Sequence, residues 1–214
     1  MFKHALVILS LLFLIVAPSA HATQPGAMPP RNILVFGDSL SAGYGIAIRD
    51  SWPALLDARL KQEGQPYAIV NASISGETTA GGRARLAAAL AQARPAIVIL
   101  ALGANDGLRG LPIAEMRANL EAMIRLAKRQ QARVLLVGMR LPPNYGGDYA
   151  DAFAGAFKSL ARRERVALLP FLLEPIARDA AAFQADGLHP TARVQPLLMA
   201  HVWQALRGLL DRSH

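Results

Sequence analysis

The chain has 214 residues, of which 53% are hydrophobic and 18% are charged, and it contains no cysteine. This composition excludes a disordered chain and any disulfide, and the length suits a single domain with a sizeable core. The formal net charge of +8 could attract nucleic acid or an anionic membrane. Because the basic residues are scattered in ones and twos without interleaved aromatic residues, we expect no nucleic-acid partner and no more than weak contact with an anionic membrane surface.

The first 22 residues have the pattern of a secretory signal peptide. Lys3 precedes an apolar run over residues 5–17, and Ala20-His21-Ala22 places small residues at the two positions that a signal peptidase reads. A membrane anchor is the weaker alternative, because the run is shorter than the roughly 20 apolar residues that span a bilayer. We therefore expect cleavage after Ala22 and a periplasmic or secreted protein.

Strand and helix patterns alternate through the rest of the chain. Short apolar runs predict strands at residues 33–36, 68–72, 96–102, 133–138 and 166–169. Helical spacing predicts helices over about residues 52–60, 83–93, 113–131, 149–163 and 191–210, the first of them capped by Ser51. This order predicts a three-layer, doubly wound, flavodoxin-like α/β fold with a parallel sheet of about five strands. We expect a linker at residues 23–31 and one monomeric domain over residues 32–214.

Gly37-Asp38-Ser39 follows directly after the first predicted strand. Gly37 lets the chain turn, so Ser39 lies at the carboxyl end of a strand, where ligands bind in open parallel α/β sheets. Ser39 is therefore a candidate nucleophile, although an isolated Gly-Asp-Ser more often forms a turn or caps a helix. Small polar residues also follow the second and third strands, so a site here would be assembled from separate loops.

A serine nucleophile needs a base, and histidine is the usual one. Of the five histidines, two lie in the expected signal peptide, one is the last residue and His201 lies within the last predicted helix. His189 remains, in a turn that begins at Asp186. The carboxylate of Asp186 could orient the imidazole through Nδ1 while Nε2 faces the serine. An ordinary turn with a surface histidine is an equal alternative for this segment taken alone.

Four motifs, in this order, resemble the blocks of the GDSL, or SGNH, hydrolases: Gly37-Asp38-Ser39-Leu40, Ser75-Gly76-Glu77, Gly103-Ala104-Asn105-Asp106 and Asp186-x-x-His189. The resemblance extends from about residue 33 to the last helix. Within the superfamily, the chain is similar to the periplasmic multifunctional acyl-CoA thioesterase I, protease I and lysophospholipase group, with arylesterases as near relatives. The resemblance implies the SGNH hydrolase fold and a serine hydrolase that cleaves small-molecule acyl esters and thioesters through an acyl-enzyme intermediate. We expect no cofactor and no metal.

The resemblance also implies roles for individual residues. Ser39 would be the nucleophile, His189 the general acid and base, and Asp186 the carboxylate that orients His189. The oxyanion hole would consist of the backbone N–H groups of Ser39 and Gly76 and the side chain of Asn105, which are fixed donors aimed at developing negative charge. Taken alone, Gly76 and Asn105 would be interpreted as turn residues.

One position departs from the family pattern, which has a second glycine where this chain has Ala104. If that position requires a positive φ, alanine would cost about 1 kcal/mol or shift the loop that carries Asn105. Ala104→Gly would then be neutral or mildly activating.

The loops after the third and fourth predicted strands should border the pocket. They supply apolar residues suited to an acyl chain, namely Leu108, Leu111, Leu141, Pro142, Pro143 and Tyr145. Ordinary loop packing is the alternative for these residues. Two other functions stay open at this point: a non-catalytic, basic periplasmic binding module that has kept the fold, and a carbohydrate acetylesterase, which would need a more polar pocket.

Overall fold

The structure is a computed structural model that describes residues 30–210. The expected signal peptide, its cleavage site after Ala22 and most of the expected linker lie outside the described residues. Within residues 30–210, no helix combines the length and the apolar character needed to cross a bilayer.

Five parallel strands form one sheet. They are β1 (Arg31–Gly37), β2 (Tyr67–Asn71), β3 (Ile97–Ala101), β4 (Arg133–Val137) and β5 (Ala167–Leu169). Their order in the sheet is β2-β1-β3-β4-β5, with Ile33 of β1 level with Ile69 of β2 and with Ile97 of β3. The chain therefore changes direction across the sheet between β1 and β3, and ligands bind beside such a switch point in this class of fold.

Helices cover both faces of the sheet. They are α1 (Ser39–Ala42), α2 (Trp52–Gln62), α3 (Thr79–Ala93), α4 (Ala104–Leu108), α5 (Ile113–Arg129), α6 (Gly147–Glu164) and α7 (Gln195–Leu206). Leu34 and Phe36 of β1 pack with the layer of α3, α5 and α6, whereas Ile33 and Val35 pack with α2 and α7. Burial on both faces explains why β1 is continuously apolar from Ile33 to Phe36.

The predicted doubly wound fold and its five strands are confirmed. Helix α3 begins at Thr79, four residues before its predicted start. Two polar contacts support this extra turn: Thr78 Oγ1 accepts a hydrogen bond from Gly81 N, and the Asp106 carboxylate accepts one from Thr79 N at 2.8 Å. The predicted last helix is divided, because short 3₁₀ turns at residues 192–194 and 207–209 flank α7.

The predicted cap of α2 is wrong in detail. Ser51 lies at the expected position, but its hydroxyl donates to the Ile48 carbonyl at 2.6 Å. The N–H of Trp52 instead donates to Gln195 Oε1 at 2.9 Å, a residue 143 positions away. A partner so distant in sequence could not be recognised from the local pattern around Ser51.

Candidate active site

Ser39 is the first residue of α1 and lies two residues after the end of β1, at the switch point. Asp38, which is 2% exposed, caps this short helix, because its Oδ1 accepts a hydrogen bond from Leu40 N at 3.1 Å. The Leu40 carbonyl in turn accepts a hydrogen bond from the indole of Trp52 at 3.1 Å. The first contact stabilises the serine-bearing turn itself, and the second fastens it to the first turn of α2.

Ser39, His189 and Asp186 form a continuous chain of hydrogen bonds. Ser39 Oγ lies 2.8 Å from His189 Nε2, and His189 Nδ1 lies 2.7 Å from Asp186 Oδ2. An ionised carboxylate can only accept, so Nδ1 carries the proton in this pair and Nε2 is free to accept the proton of the serine hydroxyl. The arrangement can therefore raise the nucleophilicity of Ser39.

The turn that carries Asp186 and His189 is built around the carboxylate itself. Oδ1 of Asp186 accepts hydrogen bonds from Leu188 N at 2.9 Å and from His189 N at 3.0 Å, and Gly187 supplies the positive φ of +68°. The backbone hydrogen bonds from His189 and Leu188, together with the imidazole, lower the pKa of Asp186 from 3.8 to about 2. The carboxylate of Asp186 is thus ionised throughout the pH range in which histidine acts as a base.

Two further residues hold the histidine segment against the serine segment. The ring of Tyr44 lies against the imidazole of His189, with 4.4 Å between ring centroids. The amide of Gln184 donates to the Tyr44 carbonyl at 2.9 Å and to the Pro190 carbonyl at 3.1 Å, so it bridges the two segments. Neither residue was recognised in the sequence, and no motif marks either of them.

Gly76 and Asn105 line the same cavity as Ser39 and His189. Gly76 has φ of +79°, which favours glycine at this position. Asn105 Nδ2 donates to the Glu77 carbonyl at 3.0 Å, which uses one amide hydrogen and leaves the other for a ligand in the cavity. The residues expected to form an oxyanion hole are therefore brought together beside the serine.

The strain argument for Ala104 is wrong. The positive φ in this motif, +117°, belongs to Gly103, which is the N-cap of α4, and Ala104 is the first helical residue after it. A Cβ on Gly103 would also lie 3.0 Å from the ring of Phe157. Alanine at 104 is compatible with its helical backbone, so Ala104→Gly would relieve no strain.

The cavity has a volume of about 630 Å³. Of the residues expected to line it, Leu108, Leu141 and Pro142 do so. The other side of the cavity was not predicted and consists mainly of Met139, Phe171, Leu173, Ala177, Phe183 and Leu188. These residues follow β4 and β5 or precede His189, and topology alone could have placed them at this edge. The lining is mostly apolar, with Arg140 as its one strongly charged member among the described residues.

Two of the expected lining residues lie elsewhere. Leu111 is exposed and not part of the cavity wall. The hydroxyl of Tyr145 donates to the Leu108 carbonyl at 3.0 Å, so Tyr145 supports the wall without lining it. Pro143 lies in a 3₁₀ turn over residues 143–145, and its side chain lies outside what the structure describes. Within residues 30–210, no group of three or more His, Cys, Asp or Glu side chains has the arrangement of a metal site.

The chain is similar to several known enzymes. A model of the GDSL-like lipase/acylhydrolase family matches residues 35–195. Esterase TesA of Pseudomonas aeruginosa is 48% identical over 84% of this chain and 90% of its own length. An arylesterase of Vibrio mimicus is 45% identical over 82% of this chain and 88% of its own. Thioesterase 1/protease 1/lysophospholipase L1 of Escherichia coli is 39% identical over 85% of this chain and 86% of its own length.

The fold agrees with these sequence relationships. A crystal structure of TesA matches with a TM-score of 0.82 at 48% identity, covering 84% of this chain and all (100%) of that one. The matched family model spans β1 to the start of α7, which includes every segment that contributes to the serine, histidine and asparagine site. The chain belongs to the GDSL-like lipase/acylhydrolase family of hydrolases.

Proposed function

We propose that this protein hydrolyses small-molecule acyl esters and thioesters, with Ser39 as nucleophile, His189 as general acid and base, and Asp186 as the orienting carboxylate. The observation that carries the proposal is the chain of hydrogen bonds from Asp186 through His189 to Ser39, at 2.7 and 2.8 Å, at the edge of an apolar cavity. Loss of Ser39 or His189 would remove one end of the proton transfer, whereas loss of Asp186 would leave the imidazole without the group that orients it.

In the first half of the reaction, Ser39 Oγ attacks the carbonyl carbon while its proton passes to His189 Nε2. The carbonyl oxygen becomes negatively charged in the tetrahedral intermediate. We assign its stabilisation to the N–H groups of Ser39 and Gly76 and to the free amide hydrogen of Asn105. Collapse of the intermediate expels the alcohol or thiol, which takes the proton from His189, and leaves the acyl group on Ser39.

Water completes the second half by the same steps. His189 removes a proton from water, the resulting hydroxide attacks the acyl carbon, and the Ser39 oxygen leaves with that proton. The ionised Asp186 stabilises the imidazolium that forms twice in each cycle. Apart from the reacting water and the leaving group, these proton transfers involve only Ser39 and His189.

The cavity supports an acyl chain as the part of the substrate that is recognised. Its lining is largely apolar, so it offers little hydrogen bonding for a sugar, which disfavours a carbohydrate acetylesterase. A volume of about 630 Å³ lies in the ordinary range for small-molecule sites. Acyl-CoA thioesters, lysophospholipids, aryl esters and short-chain esters are all proposed substrates, since the common element is one acyl group.

The proposal is tested with p-nitrophenyl esters of increasing chain length and with acyl-CoAs. Ser39→Ala and His189→Ala should each reduce kcat by several orders of magnitude, and the double variant should be scarcely slower than either one. Asp186→Ala should cost less than His189→Ala. Ser159→Ala, on the exposed face of α6, is the matched control and should retain parental activity. A folded Ser39→Ala protein that hydrolyses esters at the parental rate would refute the assignment, and would favour a binding module.

We further propose that the protein acts outside the cytoplasm as a monomer, after removal of residues 1–22. The charged start, apolar run and small-residue cleavage site support export. The net positive charge supports weak attraction to an anionic membrane surface.

A further inference from the structure

The amide of Asn105 is oriented by a main-chain carbonyl. Its Nδ2 donates to the carbonyl of Glu77 at 3.0 Å, and this contact sets where the second amide hydrogen points in the cavity. Glu77 lies directly after Gly76, in the segment that follows β2 and leads into α3. Whatever holds Glu77 in place therefore also holds a donor of the proposed oxyanion hole.

An ion pair with Arg85 of α3 holds the Glu77 side chain. Arg85 Nε donates to Glu77 Oε2 in a short contact, and the two side chains are only 25% and 12% exposed. The same guanidinium donates from Nη1 to the Ala72 carbonyl at 2.7 Å, and it lies 4.0 Å from the centroid of the Phe36 ring. Arg85 thus contacts both ends of the segment from Ala72 to Glu77 and packs against Phe36 of β1.

The hydrogen bonds of Arg85 carry an energetic cost that an apolar side chain at this position would not have. Arg85 Nη2 is buried and has no hydrogen-bond partner among the described residues, which is unfavourable for a donor. An apolar side chain could cover Phe36 without that cost. Gly81 also accommodates the pair, since a Cβ at this position would overlap Glu77 Oε1. These features are consistent with a residue that holds Glu77 in a defined position.

We propose that Arg85 and Glu77 are positioning residues for the oxyanion hole, acting through the Glu77 carbonyl on the amide of Asn105. Neither side chain lines the cavity, so they act without touching the substrate. The inference rests on the proposed hydrolase function and deepens it: the ion pair affects the transition state, in which the oxyanion carries its charge, and leaves substrate binding in the ground state unchanged.

The main test is Arg85→Met, which keeps the apolar contact with Phe36 and removes the donors. With p-nitrophenyl butyrate, kcat should fall about 10-fold while KM stays within about twofold, because a donor that is misplaced retains part of its effect. Arg85→Lys should recover only part of the loss, since an ammonium cannot reproduce the fork of Nε and Nη1. Arg125→Met is the matched control: it removes an ion pair with Glu164 at 2.9 Å between α5 and α6, and kcat should not change.

A double-mutant cycle with Asn105→Ala separates positioning from a general loss of structure. In that background, Arg85→Met should cost no more than about twofold in kcat, because the amide that it positions is absent. An equal loss in both backgrounds, a rise in KM with kcat retained, or full activity of Arg85→Met would each overturn the inference. If Arg85→Met does not fold, Glu77→Gln is carried through the same cycle with the same expected and contrary results. An active Ser39→Ala protein would instead refute the proposed function, so the two failures are distinguishable.

Discussion

Replacing Asp38 by asparagine tests how burial acts on the carboxyl group beside Ser39, the proposed nucleophile. Asp38 is 2% exposed, and burial is the main reason that its pKa is raised from 3.8 to about 7. The hydrogen bond from Leu40 N lowers the pKa, and the nearby carboxylates of Asp106 and Glu77 raise it further. The unfolded chain loses this proton near pH 4, whereas the native state holds it until about pH 7. Because the native state then binds more protons, its stability falls as the pH rises through this interval.

The size of the effect follows from the two pKa values. Each pKa unit corresponds to about 1.4 kcal/mol, so an ionised Asp38 destabilises the native state by about 4 kcal/mol above pH 7. Asparagine has nearly the same shape, can still accept from Leu40 N and carries no charge. Asp38→Asn should therefore match the parent in stability near pH 4 and exceed it by a margin that grows up to about pH 7.

Urea unfolding at pH values from 4 to 8 measures this margin directly. Asp57→Asn is a control, because its effect on stability should change with pH in the opposite direction. Burial disfavours the charge of Asp57, but hydrogen bonds from Lys61 and Ile69 N outweigh it and hold its pKa below 3.8. Its carboxylate stabilises the native state above that pH and loses the effect as the pH falls, so Asp57→Asn should be most harmful at neutral pH. A difference between Asp38→Asn and the parent that stays constant from pH 4 to 8 would refute the burial argument.

Two other predictions concern the oxyanion hole and export. Asn105→Ala should lower kcat by about 100-fold with KM nearly unchanged, because we propose that the amide acts on charge that appears only during acyl transfer. Steady-state kinetics that show a higher KM at constant kcat would instead assign the amide to ground-state binding. Protein recovered from the periplasm or the medium should begin at Thr23, which mass spectrometry can establish, and an intact Met1 in the membrane fraction would contradict the signal-peptide prediction.

The contacts around the serine were predictable because few residues could make them. The chain has no cysteine and one histidine in a plausible turn, so the search for a base ended at His189. Parallel strands bring their carboxyl ends to one edge, which allows Ser39 and His189 to meet across 150 positions. Asp186 was predictable for a local reason, since a carboxylate can accept from the N–H groups two and three residues later in a tight turn.

The cavity wall was only partly predictable, because an apolar residue after a strand can face the core, the cavity or the solvent. Leu108 and Leu111 differ by three positions, yet Leu108 lines the cavity and Leu111 is exposed. The difference arises at α4, a five-residue helix that no local pattern predicted. The same helix explains the error at Ala104, since the required positive φ lies one residue earlier, at Gly103.

Several of the supporting contacts were not predictable for a more general reason, which is that their acceptors are main-chain carbonyls. Trp52, Asn105, Arg109 and Gln184 donate to carbonyls that are 12, 28, 33 and 140 positions away, respectively. Every residue has a carbonyl, so the identity of the accepting residue carries no signal, and only the donor is visible in a sequence. A side-chain substitution can remove the donor but leaves the acceptor in place. Outside the cavity, activity should therefore be most sensitive at buried or half-buried donors such as Arg85 and Trp52. It should be insensitive to the side chain at a position such as Ala72, which supplies only its carbonyl, beyond the packing of that side chain.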